Sequence, residues 1–155
     1  MATVNGLDNA SAGVPYKGSL AKFFVLENIV DLDTLDPSSG DTVQVLPVKD
    51  GMRVLGTEVE VITPADSATS ATATIGDGDN ADGFDTDVDL KATAGTVVGT
   101  SMALSEGTPN TLVDAYAGVG KRYTSDDTID MIPTFNGATT VKGKYKIRAW
   151  GIMME

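Results

Sequence analysis

Hydrophobic and polar positions alternate along most of this chain with the period of β-strands. The final stretch shows it best. From Thr140 to Ile152, Val141, Tyr145, Ile147 and Ala149 share one parity, while Lys142, Lys144, Lys146 and Arg148 share the other. Period-2 alternation predicts a strand with one apolar face and one basic face. Met52 to Thr63 contains Glu58-Val59-Glu60-Val61, which puts both valines in a core and both glutamates outside it. Thr42 to Val48 places Val43 and Val45 together. Ala21 to Leu32 holds the apolar run Phe23-Phe24-Val25-Leu26, which reads as a strand with Phe23, Val25 and Leu26 inward. Residues 67–75 alternate small residues with Thr before reaching Ile75, so they predict a closely packed strand. Gly95 to Met102 and Tyr116 to Val119 are weaker strand signals, and Thr128 to Ile132 reads as a short strand stopped by Pro133.

Turn chemistry separates these runs. Asp36-Pro37-Ser38-Ser39-Gly40 supplies the fixed φ of proline and the positive φ of glycine. Lys49-Asp50-Gly51 predicts a hairpin. No 12-residue stretch carries an apolar stripe at helical spacing, and no fixed-period repeat is present. Many short strands separated by turns predict a sandwich or barrel.

Composition sharpens this picture. Thr, Val and Ile supply 42 of 155 residues, a β-branched share that favours strands. Residues 1–18 hold Gly6, Gly13, Pro15 and Gly18 among small and polar residues and read as an extended N-terminal arm, leaving residues 19–155 as a single β domain. The N-terminus has neither the basic nor the apolar region of a signal peptide, and no run approaches the roughly 20 apolar residues of a membrane span.

Charge and missing residue types exclude several functions. The chain has no Cys and no His, so it has no disulfide framework, no Cys/His zinc site, no thiol nucleophile and no histidine-based triad. The net charge of -11 argues against non-specific nucleic-acid binding, which needs bases to replace counterions. The charge is uneven: residues 1–120 carry -13 and residues 121–155 carry +2. Paired carboxylates are inevitable among 22 acids, and nothing marks one pair as a glycosidase acid and base. Gly118-Val119-Gly120-Lys121 lacks the first Gly and the Ser/Thr of a phosphate-binding loop. No catalytic residue and no cofactor are assigned.

Two constellations remain. Asp77, Asp79, Asp82, Asp85, Asp87 and Asp89 lie within 13 residues. Counted as an EF-hand from Asp77, position 5 is Ala81, position 6 is Asp82 and position 12 is Val88, so that pattern fails. A non-standard calcium loop using Asp77, Asp79 and Asp82 stands against a tight turn in which Asp and Asn bond their own backbone. The basic strand Lys142, Lys144, Lys146 and Arg148 repels itself unless something acidic faces it. It reads either as a solvated edge strand whose lysines block aggregation, or as a docking face for an acidic neighbour, which is another subunit with its Glu58/Glu60 face included or a different protein; nucleic acid comes third, given the overall charge. Trp150 shares its parity, and a large ring there points to burial by something.

The order of phrases carries a resemblance. An arm and a Phe-rich strand precede Ser39-Gly40-Asp41-Thr42-Val43-Gln44-Val45-Leu46 and Val54-Leu55-Gly56-Thr57-Glu58-Val59. Then follow Thr72-Ala73-Thr74-Ile75-Gly76-Asp77-Gly78, Ala81-Asp82-Gly83-Phe84, Tyr123-Thr124-Ser125-Asp126-Asp127-Thr128-Ile129 and a closing Lys-rich strand with Trp150. Over residues 20–152 this resembles the head decoration, or capsid cement, proteins of tailed bacteriophages. The resemblance implies an all-β, jelly-roll-like β-sandwich or small barrel, assembled as a homotrimer on the major capsid protein shell. It implies a place on the capsid exterior after synthesis in the bacterial host; the acidic charge and the lack of a long apolar run are what leave nucleic acid and membrane out as expected partners. The resemblance also makes the arm, with Val14, Pro15 and Tyr16, a candidate contact beside the basic strand and Trp150. The alternatives are another virion part, such as a head fibre base or tail protein, and a calcium- or carbohydrate-binding β module.

Overall fold

A computed structural model describes residues 1–5, 11–12, 22–66, 69–101, 116 and 120–153. Among the described residues eleven strands are arranged in two sheets that pack as a β-sandwich. The first sheet runs β1 (Thr3–Asn5), β4 (Thr42–Val48), β10 (Asp127–Asn136), β6 (Ser70–Gly76) and β7 (Asp85–Asp89). The second runs β2 (Ser11–Ala12), β3 (Lys22–Asp31), β11 (Lys144–Met153), β5 (Met52–Thr63) and β8 (Val97–Ser101), with β9 (Lys121–Arg122) also paired to β5. Among the described residues helix is confined to one turn, α1 (Leu32–Leu35), capped by the Asp31 side chain. Among the described residues no helix is long and apolar enough to cross a membrane.

The alternation read from sequence explains the core. Val43 and Val45, Val59 and Val61, and Tyr145, Ile147 and Ala149 are all fully buried between the sheets. Ala71, Ala73 and Ile75 of β6 join them, so the Ala/Thr stretch is a strand from Ser70 onward. Each large buried side chain contributes about 1.5–3 kcal/mol. Tyr145 and Asn28 bring polar groups into this core with partners. The Tyr145 hydroxyl donates to the Leu90 carbonyl at 3.0 Å, and the Asn28 amide donates to the Val45 carbonyl at 2.7 Å, linking β3 to β4 across the sandwich.

Several expectations are corrected. On β3 the inward residues are Phe24, Leu26, Asn28 and Val30, while Phe23 and Val25 are 61% and 50% exposed. Four consecutive apolar residues fit either parity, and the inward polar Asn28 hides the true one. Glu27 and Asp31 mark it, since they share the outward parity of Phe23 and Val25. Lys49-Asp50-Gly51 does form a turn, with the Met52 amide donating to the Lys49 carbonyl. It joins β4 to β5, which lie in different sheets, so it is a crossing between layers rather than a hairpin. Turn chemistry reverses the chain locally and does not choose the pairing partner. Pro133 does not end β10. Its carbonyl accepts from Gly40 beyond the last β4 partner, Met131 opposite Val43, so its ring nitrogen falls where the ladder needs no donor. Tyr116 lies in a turn, and residues 117–119 fall outside the described residues. The basic segment begins its strand at Lys144, leaving Lys142 in the preceding loop.

Within residues 1–18, Thr3–Asn5 pairs in parallel with β4, and Ser11–Ala12 pairs antiparallel with β3. The Ala2 amide donates to the Asp41 carboxylate at 2.7 Å. Val14, Pro15 and Tyr16 lie outside the described residues.

Candidate interaction surface

The basic strand is central rather than an edge. β11 pairs with β3 along one side and with β5 along the other. Register then fixes the neighbours of each base. Arg148 stands between Glu27 of β3 and Glu58 of β5; Lys146 stands between Ile29 and Glu60. The Arg148 guanidinium donates from Nε to Glu27 at 2.7 Å, from Nη1 to Glu58, and from Nη2 to Glu60 at 3.0 Å. The bonds to Glu27 and then Glu58 hold its pKa above the ordinary arginine value, against the pull of burial. Lys146 lies 3.6 Å from Glu60, Lys144 3.0 Å from Asp31, and Lys142 3.1 Å from Asp33. The acidic facing that the strand requires therefore comes from its own chain. The planar fork of arginine suits this place, because it reaches three carboxylates in different directions.

The same outward face changes character toward the other end of β11. Trp150 pairs with Val25 on β3 and Gly56 on β5; Ile152 pairs with Phe23 and Arg53. Phe23, Val25 and Leu55 are exposed, and Trp150 and Ile152 are half-buried. One face of one sheet thus holds a closed ion-pair ladder and, beside it, an apolar patch. Sequence reading found Lys144, Lys146, Arg148 and Trp150. It missed Phe23, Val25 and Leu55 as surface residues and Glu27 as the arginine's partner.

The Asp-rich segment folds as a turn between β6 and β7. Asp77 is buried, and its Oδ1 accepts from the Asp79 amide at 3.0 Å, the Asn80 amide at 2.9 Å and the Tyr116 hydroxyl at 3.0 Å. Its Oδ2 accepts from the Tyr123 hydroxyl at 2.9 Å. The Lys121 ammonium sits 3.8 Å from Asp77 and 2.6 Å from Asp79. Burial pulls the Lys121 pKa down, but bonds to Asp79 and Tyr116 and the Asp77 charge hold it above its ordinary value. Burial, with Asp77 beside it, raises the Tyr123 hydroxyl strongly. Both Asp77 oxygens are thus taken up within the chain, the exposed Asp79 carboxylate is paired with Lys121, and the Asp82 amide lies against the Asn80 side chain. Among the described residues no three acidic side chains gather as a metal cluster.

A second buried carboxylate lies close by. Asp130 is opposite Gly76 on β6 and accepts from the Thr128 hydroxyl at 2.7 Å. Burial first, and then the charges of Asp127 and Asp77, raise it to about 6 against the pull of the Thr128 bond.

No family model matches the chain, and no curated protein does. Solved structures do. The chain is 16% identical to one in the cyanophage Pam1 capsid asymmetric unit, covering 92% of each chain with a TM-score of 0.60. It is 13% identical to a chain in the capsid of Ralstonia phage GP4, covering 99% of each with a TM-score of 0.56. It is 12% identical to one in the acidic stable capsid structure of Helicobacter pylori bacteriophage KHP30, covering 93% of this chain and 96% of that one, with a TM-score of 0.51. At such identities the likeness is one of fold.

Proposed function

We propose that this chain is a structural protein of a bacteriophage virion, a capsid cement protein that binds the outer surface of the major capsid protein shell as an oligomer, a homotrimer in the simplest case. The observation that carries the proposal is the full-length likeness to chains from three phage capsid structures, over 92% or more of both partners each time. A shared subdomain would leave one partner partly uncovered. The fold likeness supports a structural protein of the virion; the cement role on the shell rests on the resemblance in the order of sequence phrases.

The physical properties suit the role. A shell offers many equivalent sites, so modest affinity per copy becomes strong retention through multivalency. Binding to the assembled shell and not to its separated subunits stabilises the shell by linkage. Neither effect needs catalysis or a cofactor. The net charge of -11 keeps free copies apart before capture. In this reading the chain is made in the host cytoplasm and resides on the capsid exterior.

The contact with the shell is assigned to residues 1–18, with Val14, Pro15 and Tyr16 as candidates. The lysines and arginine of the basic strand are weaker candidates than their charge alone implied, because Lys144, Lys146 and Arg148 already face carboxylates of their own chain. A role in a head fibre base or tail has no specific observation in its favour.

Co-sedimentation tests the proposal. Purified protein is mixed with mature shells of the cognate phage that lack it. Saturable binding, lost when Val14, Pro15 and Tyr16 are replaced together by alanine with β1 and β2 left in place, is the expected result. No binding to shells, with binding to isolated tails instead, would contradict it.

A further inference from the structure

We infer that a second copy of this chain docks on the outward face of β3, β11 and β5, over the apolar patch of Phe23, Val25, Leu55, Trp150 and Ile152. The inference rests on the virion reading only in taking the chain to act in several copies.

The patch is contiguous by register. Val25 and Trp150 are direct partners, as are Phe23 and Ile152; on the adjoining strand Gly56 faces Trp150, and exposed Leu55 is the extra residue at the bulge between Gly56 and Val54, next in the chain to Gly56 but with no partner of its own on β11. Single exposed apolar residues are ordinary on any surface. A cluster spanning three neighbouring strands around an aromatic ring marks an interaction site. Trp at the centre of such a cluster is the residue type that most often anchors an interface.

Charge selects the occupant. The chain carries -11, so two copies repel over most of their surfaces. On the outward face of these three strands the charges cancel. Glu27, Asp31, Glu58 and Glu60 are matched in number by Arg53, Lys144, Lys146 and Arg148. The acids of β7, by contrast, carry an excess, with Asp85, Asp87 and Asp89 on one five-residue strand. A partner of opposite charge gains most by meeting the acidic surfaces. A second copy gains most where the charge is nil and the surface apolar. The ladder beside the patch is also closed: Arg148 has three carboxylate partners from its own chain. Covering it leaves no charge without a partner, which is the condition under which burying ions is tolerated.

The test is the solution mass by light scattering over a concentration series, for the native chain and for a Phe23→Ser/Val25→Thr double variant. Both replaced side chains point outward, so circular dichroism should be unchanged. The expected result is an oligomer for the native chain and a dissociation constant raised roughly 30-fold or more in the variant. If the double variant does not fold, Val25→Cys in this cysteine-free chain replaces it. The introduced thiol should react more slowly as concentration rises and assembly covers it. A native chain that stays monomeric at the highest attainable concentration overturns the inference, as does a folded double variant that assembles as tightly as the native chain, or an introduced thiol whose rate ignores concentration. Shell binding separates the two readings. A monomer that binds shells overturns the self-docking face and leaves the virion reading intact; an oligomer that ignores shells does the reverse.

Discussion

Trp150 and Val25 stand opposite each other on β11 and β3, on the outward face of their sheet. Two positions along β11, the same face carries Arg148 in contact with three carboxylates. The β-strand period makes both features consequences of one parity. Whatever places the basic residues outward places the indole outward too.

Arg148 is the centre of the ladder, and its loss leaves Glu27, Glu58 and Glu60 facing one another. Arg148→Ala should destabilise the protein by roughly 1–2 kcal/mol, above the value of an ordinary surface pair because three acids lose one partner. Arg148→Lys should recover only part of this, since an ammonium cannot reach three carboxylates in a plane. Urea unfolding at low and high salt checks both. The deficit should shrink with salt as repulsion among the glutamates is screened.

Thr57 lies fully buried on β5, and its hydroxyl has no hydrogen-bond partner among the described residues. Burying a hydroxyl without a partner is unfavourable. Thr57→Val keeps the shape and removes that cost, so it should stabilise the fold by about 1 kcal/mol. A higher midpoint in urea with an unchanged slope is the expected observation.

The turn at Asp77 is held by four donors to one carboxylate. Asp77→Ala should cost about 3 kcal/mol, because two tyrosine hydroxyls and two amides lose their acceptor together. Gly76→Ala should be comparably damaging: a Cβ there would collide with the Asn80 and Ala81 backbone, which cannot move aside. Thermal melting with and without a chelator separates this account from the calcium loop. The midpoint should not change, and a fall on chelation would restore the metal reading.

Asp130 gives a pH dependence with a definite sign. Its folded pKa, about 6, lies above the unfolded value of 3.8. Between these two values the folded state binds the proton more tightly. Its contribution is therefore full below about pH 3.8 and is lost as pH rises through 6. Asp130→Asn keeps an acceptor for Thr128 and removes the titration. The variant should be more stable than the native chain at pH 7, and the difference should close as pH falls toward 4. Melting both proteins across this range isolates Asp130 from Asp31, Asp41 and Asp126. Their depressed pKa values act in the opposite direction, through Lys144, the Ala2 amide and Lys49 respectively.

Much of the fold is legible in particular residues. Glu58 to Val61 and Tyr145 to Ala149 name their buried faces, because a half-buried strand must alternate. Phe23 to Leu26 does not, since four apolar residues in a row satisfy both parities. The acids Glu27 and Asp31 held the missing information. The β4 to β5 turn was visible, but its partner choice was not, because strand pairing depends on contacts remote in sequence. The ladder was hidden for the same reason. Glu27 lies 121 positions from Arg148, and only the sheet order β3-β11-β5 brings them together. Trp150 shares the parity of the lysines, but parity left open whether its ring belonged to a core or to an interface, because a large apolar ring and a row of bases pull that reading in opposite directions.

Cryo-electron microscopy of the virion that carries this chain tests the central claim most directly. The account predicts copies of the two-sheet sandwich on the outer surface of the capsid shell, repeated with its symmetry, each contacting the shell through its N-terminal segment. A particle whose shell lacks that density, with the sandwich found in the tail or in no part of the virion, would contradict it.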